Sequence, residues 1–309
     1  MSRIADKQNE ERYLRYRYVC RKLYTYEKAW QKWIIIIGFI FYALGLIPNI
    51  KDNVYIQYLA IGWTLLTFFI DRRKSDIHNR AVIYQEYCDR QMFGLRLVPG
   101  LIEHANTILP ESIEFIEQRN RKIEYEKMKS EQSKIPLKNW YTSLSGLPIE
   151  SARVLAQDEN VSWDLNQRKY YRIVIYVGII IVIISTSITI HLTTKNYIDF
   201  ILSIPIIKEL LVILFDNNDS IDRAIKIKGE IGEVYQKIRN CSLPNDLEQI
   251  IEQSLSIQFH IYENRKYSIP VPDIIYKVFR RVLQKKSTSY INNMKAELLQ
   301  AIEDNNEEE

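Results

Sequence analysis

The chain has 309 residues, of which 47% are hydrophobic and 26% are charged, and its formal net charge at pH 7 is +4. These averages are ordinary for a soluble protein, but the apolar residues are concentrated in four long runs, which exclude a uniformly soluble chain. The charged segment Met1–Lys32 lacks the pattern of a secretory signal, so we expect the first run to remain as an anchor. Cys20, Cys88 and Cys241 lack metal-ligand or redox spacing and are typical of reduced thiols in a cytoplasmic setting.

The apolar runs form two pairs, each joined by a short polar turn. The first pair is Trp33–Ile50 and Val54–Ile70, and the second is Ile173–His191 and Tyr197–Phe215. A membrane-spanning helix needs about 20 mostly apolar residues, whereas buried strands have only about 4–8. The sequence therefore predicts an all-α membrane protein with two transmembrane helical hairpins (four spans) and a helical cytoplasmic body.

Lysine and arginine mark the predicted cytoplasmic side. They are abundant before the first and third runs and after the second and fourth, whereas the two turns carry only Lys51 and Lys195. Because positive charge is retained in the cytoplasm, both termini and the long middle segment are expected there. The predicted regions are a cytoplasmic N-terminal helix at 1–32, hairpin 1 at 33–70, a cytoplasmic helical region at 71–172, hairpin 2 at 173–215 and a cytoplasmic C-terminal helical region at 216–309.

Apolar spacing and helix breakers give the expected elements of the polar segments. The N-terminal segment has an apolar stripe at three- and four-residue spacing and predicts a helix that runs into the first span. The other predicted helices are a continuation of the second span through Asp76–Phe93, a single helix at Glu111–Lys129, one starting at Pro148, one at Ile221–Asn240, one after Pro244 and one at Asp273–Ala301, followed by a frayed acidic tail at Glu303–Glu309.

The second hairpin has more polar side chains than the first. Ser185 and Thr189 lie one turn apart and share a face, although such hydroxyls also commonly bond to their own helix or to a neighbouring one. The fourth run contains Asp199 and is expected to be broken by Pro205. Lys208 either faces water within the membrane or snorkels to its edge. The predicted pore-lining residues are Ser185, Thr186, Thr189, Lys208 and Glu209, whereas the first hairpin is expected to be a lipid-facing anchor.

Several short segments occur in an order that resembles a known family. They are Ile4–Asn9, Gln85–Asp89 with Phe93–Leu95, Asn160–Asp164 with Arg168 and Tyr171, and Ile257–Arg265 followed by Pro272, Tyr276 and Lys277. Together they resemble the S-4TM family, the four-transmembrane effectors associated with bacterial cGAS/DncV-like nucleotidyltransferases (CD-NTases).

The resemblance implies an effector of CBASS, the cyclic-oligonucleotide antiphage signalling systems. A CD-NTase would make a cyclic oligonucleotide on infection, and the effector would bind it and permeabilise the inner membrane, so that the cell dies or stops growing. Four spans enclose little space in one subunit, so a pore would require a homo-oligomer.

A cyclic oligonucleotide presents phosphates and bases, so its site needs Arg or Lys together with aromatic rings. Trp and Tyr near span ends are, however, also ordinary interfacial anchors. The candidate ligand-binding residues are Trp140, Tyr141, Asn160, Trp163, Asp164, Arg168, Tyr262, Arg265, Tyr276 and Lys277.

Catalytic motifs are not recognisable in the sequence. It has no glycine-rich phosphate loop, no HExxH and no nucleophile elbow. His78, His104, His191 and His260 are isolated from other metal-ligand residue types. We therefore predict a protein that is not an enzyme and has no metal, no cofactor and no DNA or RNA partner. The alternatives are an ion channel or transporter unrelated to defence, or a non-enzymatic membrane scaffold.

Overall fold

The structure, a computed structural model, describes residues 4–47, 53–130, 137–192, 201–240 and 246–307. All regular secondary structure in these ranges is helical, which confirms the predicted all-α class. The helices are α1 (Ile4–Lys7), α2 (Glu11–Gly45), α3 (Val54–Phe93), α4 (Pro99–Ala105), α5 (Ile108–Glu117), α6 (Arg119–Lys129), α7 (Ile149–Leu192), α8 (Ile204–Asn240), α9 (Asp246–Lys266) and α10 (Asp273–Glu307).

Four long helices, α2, α3, α7 and α8, each combine an apolar half with a polar half. The predicted continuation of the second span through Phe93 is confirmed, because α3 is one helix with a recognisable cap at each end. The Asn53 side chain accepts a hydrogen bond from the Tyr55 N–H at 3.0 Å and caps the start. Gly94 ends the helix with a left-handed φ of 66°, a conformation that glycine adopts without steric cost.

Two of the described helices are long and apolar enough to cross a membrane. They are Val54–Phe93 and the segment Ile149–Thr189 of α7. Only 17% of the residues in the apolar window of each are buried, whereas the core helix of a soluble protein would be mostly buried. Thus two spans, not the four predicted, meet this criterion. The first and fourth apolar runs, Trp33–Ile50 and Tyr197–Phe215, each extend into residues outside the described ranges.

The apolar halves pack through small residues and aliphatic side chains. A Cβ placed on Gly38 of α2 would lie 3.4 Å from the Ile206 backbone of α8. The same contact buries Tyr42 of α2, Val182 of α7 and Leu210 of α8 around Ile206. The helices of the two predicted hairpins are therefore in direct contact.

The polar halves form a helical body with two main apolar cores. One core joins α2, α3 and the start of α7, where Tyr16, Cys88 and Ala152 are buried. The second joins α7, α8 and α9 through Leu165, Ile231, Ile257 and their neighbours. The predicted apolar stripe of the N-terminal helix is confirmed at four of its five residues, since Tyr13, Tyr16, Val19 and Leu23 are buried, whereas Tyr26 is half-buried.

Two local predictions are wrong, and one is confirmed. The helix expected at Glu111–Lys129 is divided at Gln118, whose ψ of 123° is not helical. The break expected at Pro205 is confirmed, because residues 201–203 form a 3-10 turn and α8 begins at Ile204, which places Pro205 in its first turn, where a missing N–H has little consequence. Helix α10 continues beyond Ala301 to Glu307, so the acidic tail is helical over most of its length. The predicted Asp199 feature lies outside the described residues.

Candidate ligand site

A cavity of about 910 Å³ lies in the middle of the helical body, within the size range of small-molecule sites. We call it the central cavity. Its walls come from α2, α3, α6, α7, α9 and the start of α10, with Ile227 of α8, from the segment before α7 that carries Leu137 and Trp140, and from the segment that joins α9 to α10. The lining cations outnumber the carboxylates: they are Arg17, Arg21, Lys22, Lys28, Lys127, Arg168 and Arg265, against Asp89, Glu124, Asp164 and Asp273. The aromatic residues at its wall are Tyr24, Trp140, Trp163 and Tyr276.

One side of the central cavity is organised by a chain of hydrogen bonds that ends at Asp89. The Trp140 indole donates to Asn160 at 3.4 Å, and the Asn160 amide donates to the Tyr141 hydroxyl at 2.7 Å. That hydroxyl donates to Asp89 at 2.9 Å, and Asp89 pairs with Arg265 at 2.8 Å. Residues far apart in sequence are thus fixed in one connected network at the cavity wall.

Arg265 is held by carboxylates on α3. Its guanidinium lies 2.8 Å from Asp89 and 3.4 Å from Glu86. Burial disfavours the charged guanidinium, but these two carboxylates raise the pKa of Arg265 above its ordinary value. Burial also raises the pKa of Glu86 to about 7, although Arg265 and Arg90 lie beside it. The site therefore contains a cation whose present partners are carboxylates on a neighbouring helix.

The opposite side of the cavity is built where α7 approaches the start of α10. The rings of Trp163 and Tyr276 lie 6.2 Å apart. The Arg168 guanidinium donates to Asp164 at 2.7 Å and to the Ile269 carbonyl at 3.1 Å. This group lies just before α7 enters its apolar half, so the cavity extends close to the predicted membrane surface.

The N-terminal helix α2 contributes two further arginines. The Arg17 and Arg21 guanidinium groups each lie 5.9 Å from the Trp140 ring, within cation–π range. Burial lowers the pKa of Arg21, and the nearby Asp273 only partly offsets this effect. In the sequence these two arginines belong to the positive charge before the first apolar run, which indicates only the membrane orientation. Their place in the cavity was missed, because a helical periodicity does not show which element will face the cations.

His78 connects three elements at the cavity wall. Its two ring nitrogens lie 2.9 Å from the Glu27 carboxylate of α2 and 2.9 Å from the Arg265 carbonyl of α9. Both partners are acceptors, so the ring satisfies both only when each nitrogen carries a proton. Burial opposes protonation, but the Glu27 carboxylate and the Arg265 carbonyl raise the pKa of His78 above its ordinary value.

Comparison with known proteins places the chain in a family. The family described as SMODS-associating 4TM effector domain matches residues 2–294. The chain belongs to this family. A Bacillus cereus (strain VD146) protein described as "Probable CBASS effector molecule" is 25% identical over 182 residues, which cover 56% of this chain and 58% of that relative. The match thus spans less than two thirds of the relative's length. No solved structure matches the chain.

Within this effector family member, the structure brings most of the predicted ligand-binding residues to one place. Seven of them line the central cavity: Trp140, Asn160, Trp163, Asp164, Arg168, Arg265 and Tyr276. Tyr141 is buried directly behind the wall. Tyr262 and Lys277 do not line the cavity, and Lys277 is exposed. Whether any of the ten binds ligand stays a prediction.

The predicted pore-lining residues lie at contacts between helices or bond to their own helix. Ser185 and Thr186 are both hydrogen-bonded to the Tyr42 hydroxyl of α2, and Thr189 donates to the Ser185 carbonyl at 2.9 Å. Lys208 donates to Thr67 of α3 at 3.1 Å, while Glu209 is buried. The predicted role of these residues in a pore remains a prediction.

In the part of the chain that the structure describes, no group of three or more His, Cys, Asp and Glu side chains has a metal-binding arrangement. His260 pairs with the single carboxylate Glu230 at 2.7 Å. The described residues thus assign no reaction to this effector.

Proposed function

We propose that the chain is a membrane effector of bacterial antiphage defence (CBASS) that senses a cyclic oligonucleotide in the central cavity. A CD-NTase of the same system supplies the messenger after infection. The effector, a homo-oligomer in the inner membrane, then forms a pore or otherwise disrupts the bilayer, and the infected cell dies or stops growing. Family membership and the description of the Bacillus relative support this proposal. The observation that carries it is the arginine- and aromatic-lined cavity.

The proposed membrane arrangement has four spans with both termini in the cytoplasm. Two apolar helices with mostly exposed windows support two of the spans. The apolar parts of α2 and α8 pack beside them through Gly38, Ile206 and Leu210. Helices that lie side by side at this level would cross the same layer, which supports two hairpins rather than two isolated anchors.

The central cavity has the chemistry that a cyclic oligonucleotide requires. Guanidinium groups bind phosphates through paired N–H donors, and Arg21, Arg168 and Arg265 supply these donors from three different helices. Bases stack on aromatic rings, and Trp140 and the Trp163–Tyr276 pair stand at separate places on the wall. A ligand with several phosphates and several bases would use both sides of the cavity at once.

Continuous helices join the cavity to the membrane part. Asp89 and His78 lie on α3, and Arg168 lies on α7, and each of these helices runs without a break into an apolar segment. A ligand changes the conformational equilibrium only when it binds one arrangement more tightly than another. Anionic phosphates that attract Arg265 or Arg168 would weaken their contacts with Asp89 or Asp164, and this provides the required difference.

Calorimetry tests the proposed ligand class. The purified chain is titrated with cyclic di-AMP, cyclic di-GMP, cyclic GMP–AMP and cyclic tri-AMP. We expect at least one of them to bind. Trp140→Ala and Trp163→Ala should each weaken binding about 5- to 100-fold, because stacking contributes about 1–3 kcal/mol per base. Trp30→Ala is the matched control, since Trp30 is 45% exposed on α2 and does not line the cavity.

The outcome separates this proposal from a channel or scaffold unrelated to defence. Binding that both cavity variants weaken, and that Trp30→Ala leaves unchanged, supports the site. If the folded parent binds none of the four compounds, the cyclic-oligonucleotide function is contradicted and a channel becomes the better account. Release of dye from loaded liposomes, with and without the compound that binds, tests the action on the membrane.

A further inference from the structure

A cluster of polar side chains joins the two predicted hairpins, and we call it the polar clasp. Its residues are Gln31 of α2, Thr67, Asp71 and Lys74 of α3, and Lys208 and Glu209 of α8. The Lys208 ammonium lies 3.1 Å from the Thr67 hydroxyl and 3.5 Å from both the Asp71 and Glu209 carboxylates. Lys74 pairs with Asp71 at 3.0 Å. Gln31 links the cluster further, because its amide donates to Glu209 and accepts from Lys74.

The polar clasp is balanced in charge, and its exposure falls from Asp71, which is partly exposed, to Glu209, which is buried. It contains two ammonium groups and two carboxylates, and Glu209 is only 2% exposed. Asp71 directly follows the apolar run of α3, so the cluster lies at the edge of the proposed hydrocarbon layer. The ring of Phe68, 4.9 Å from the Lys208 ammonium, covers it on one side.

Close helix contacts continue from the polar clasp along the boundary between the hairpins. Gly38 of α2 faces Ile206 at the start of α8, and Gly45 faces Leu202 just before it; a Cβ would lie 3.4 Å from the Ile206 backbone and 3.0 Å from the Leu202 Cβ, respectively. On the neighbouring α7, Ser185 and Thr186 bond to the Tyr42 hydroxyl of α2. The boundary thus has small and hydroxyl-bearing residues above a charged cluster, whereas the outer faces of α3 and α7 are exposed and aliphatic.

Charges of this kind constrain how the hairpins can separate. Ionisable groups are costly in hydrocarbon and face protein or water. If α2 and α3 moved away from α8, Lys208 would lose Thr67 and Asp71 and Glu209 would lose Gln31. The two side chains would keep only each other and would need water to replace the lost contacts. Separation of the hairpins therefore brings water into the boundary.

From this geometry we infer that the membrane leak opens between the two hairpins, along the contact of α2 and α3 with α8, and that the polar clasp keeps it closed. The inference rests on the proposed action of the chain on membranes. It also gives Lys208 and Glu209 two successive states: they are paired in the closed protein, and they line a hydrated crevice in the open one.

The first test needs no nucleotide. The parent and Lys208→Met are reconstituted in phosphatidylethanolamine–phosphatidylglycerol liposomes that contain self-quenching carboxyfluorescein. Removing the ammonium leaves Asp71 and Glu209 without their shared cation. The spontaneous leak should therefore rise about tenfold or more, since an unpaired buried charge shifts a two-state equilibrium by at least that factor.

Two matched variants show whether the pairing itself matters. Lys208→Arg keeps the positive charge and should remain as tight as the parent. Arg73→Met removes an exposed cation of α3 that lies outside the polar clasp and should also remain tight. Gel filtration and circular dichroism check folding. If Lys208→Met is not recovered folded, Lys208→Gln replaces it with the same expected leak.

The second test places a cross-link across the boundary. A Cβ on Gly38 would lie 3.5 Å from the Ile206 Cβ, within the range of about 3.5–4.5 Å that a disulfide requires. Gly38→Cys and Ile206→Cys are combined with Lys208→Met. Oxidation should suppress the spontaneous leak and dithiothreitol should restore it. The two single-cysteine variants control for the native thiols.

The outcomes separate this inference from the proposed function. If Lys208→Met is tight, or if the oxidised and verified cross-link leaks as fast as the reduced protein, the leak does not open at this boundary. Failure of the two cysteines to cross-link in the resting protein would contradict the contact itself. None of these results depends on a nucleotide, so a failure of the parent to bind or respond to the cyclic compounds is read separately.

Discussion

Single residues in this chain take their roles from their surroundings. Arg17 and Arg21 look like orientation signals in the sequence, yet both approach the Trp140 ring inside the central cavity. His78 looks isolated in sequence, yet it joins Glu27 to the Arg265 carbonyl and so ties α2, α3 and α9 together. Its charge state is therefore tied to the closed packing of the cavity wall.

Protonation of His78 should make stability depend on pH. The folded-state pKa of His78 is raised above its ordinary value of 6.5, so its stabilisation is fully present below about pH 6.5 and is lost as the pH rises through the folded pKa. Melting followed by tryptophan fluorescence in detergent should show this loss over a window that begins at about pH 6.5. His78→Gln, which does not titrate, should flatten the dependence in that window.

His104→Gln is the control for the histidine prediction, because His104 lies on α4 outside the cavity. It should retain the slope of the parent. Equal slopes for the parent and His78→Gln would show that His78 does not carry a proton that the fold stabilises.

At the scale of elements, the apolar and polar halves of the long helices meet without a break. Asn53 and Gly94 define a 40-residue helix that carries the predicted second span into the helical body. The hairpins contact each other where glycine allows a close approach, at Gly38 and Gly45 of α2. A movement in the cavity wall would therefore pass along a rigid helix to the hairpin boundary.

Gly38 should be sensitive to size because α8 lies against it. A Cβ there would already lie 3.4 Å from the Ile206 backbone, so the longer side chain of Gly38→Leu forces the helices apart. We expect a loss of about 1–3 kcal/mol in the free energy of unfolding, as is typical of overpacking. Gly62→Leu on α3 is matched in chemistry and meets no atom within 4 Å, so it should cost nothing. Denaturation of both variants in detergent measures the difference, and equal stabilities would contradict the close contact.

The molecule as a whole is a single helical assembly. The predicted boundaries between its membrane and cytoplasmic regions lie inside continuous helices. The boundaries at 32/33, 70/71 and 172/173 all fall within α2, α3 and α7. The central cavity and the polar clasp are both built from segments distant in the chain. In the proposed membrane arrangement, the two hairpin turns can be reached from outside the cell and the helical body cannot.

Cysteine labelling tests the proposed topology. In a background with Cys20, Cys88 and Cys241 replaced by alanine, single cysteines are placed at Asn53, Asn196 and Asn120. An impermeant maleimide added to intact spheroplasts should label the first two, which lie in or beside the hairpin turns. It should label the third only after lysis, because the positive-inside rule places that segment in the cytoplasm. Labelling at Asn120 before lysis would reverse the proposed orientation.

The sequence by itself determined the helical class, the apolar runs and the continuation of α3 to Phe93, because these depend on local composition, periodicity and capping. Its chemistry suited to phosphates and bases also selected ten candidate residues, of which seven line the cavity. The sequence predicted one helix over Glu111–Lys129 and so missed the break at Gln118, where contacts of α6 with α2, including Lys22 with Glu124 at 2.8 Å, hold the two shorter helices.

Only the tertiary structure decided which distant side chains meet. Arg265 faces Asp89, and Lys208 faces Asp71, because the helices pack with a particular rotation about their axes and a particular shift along them. The sequence pattern shows which face of each helix is apolar, but it does not show which helix packs against that face. For the same reason the sequence left Ser185 and Lys208 as candidates for a pore within the second hairpin, whereas their neighbours in the fold belong to the first.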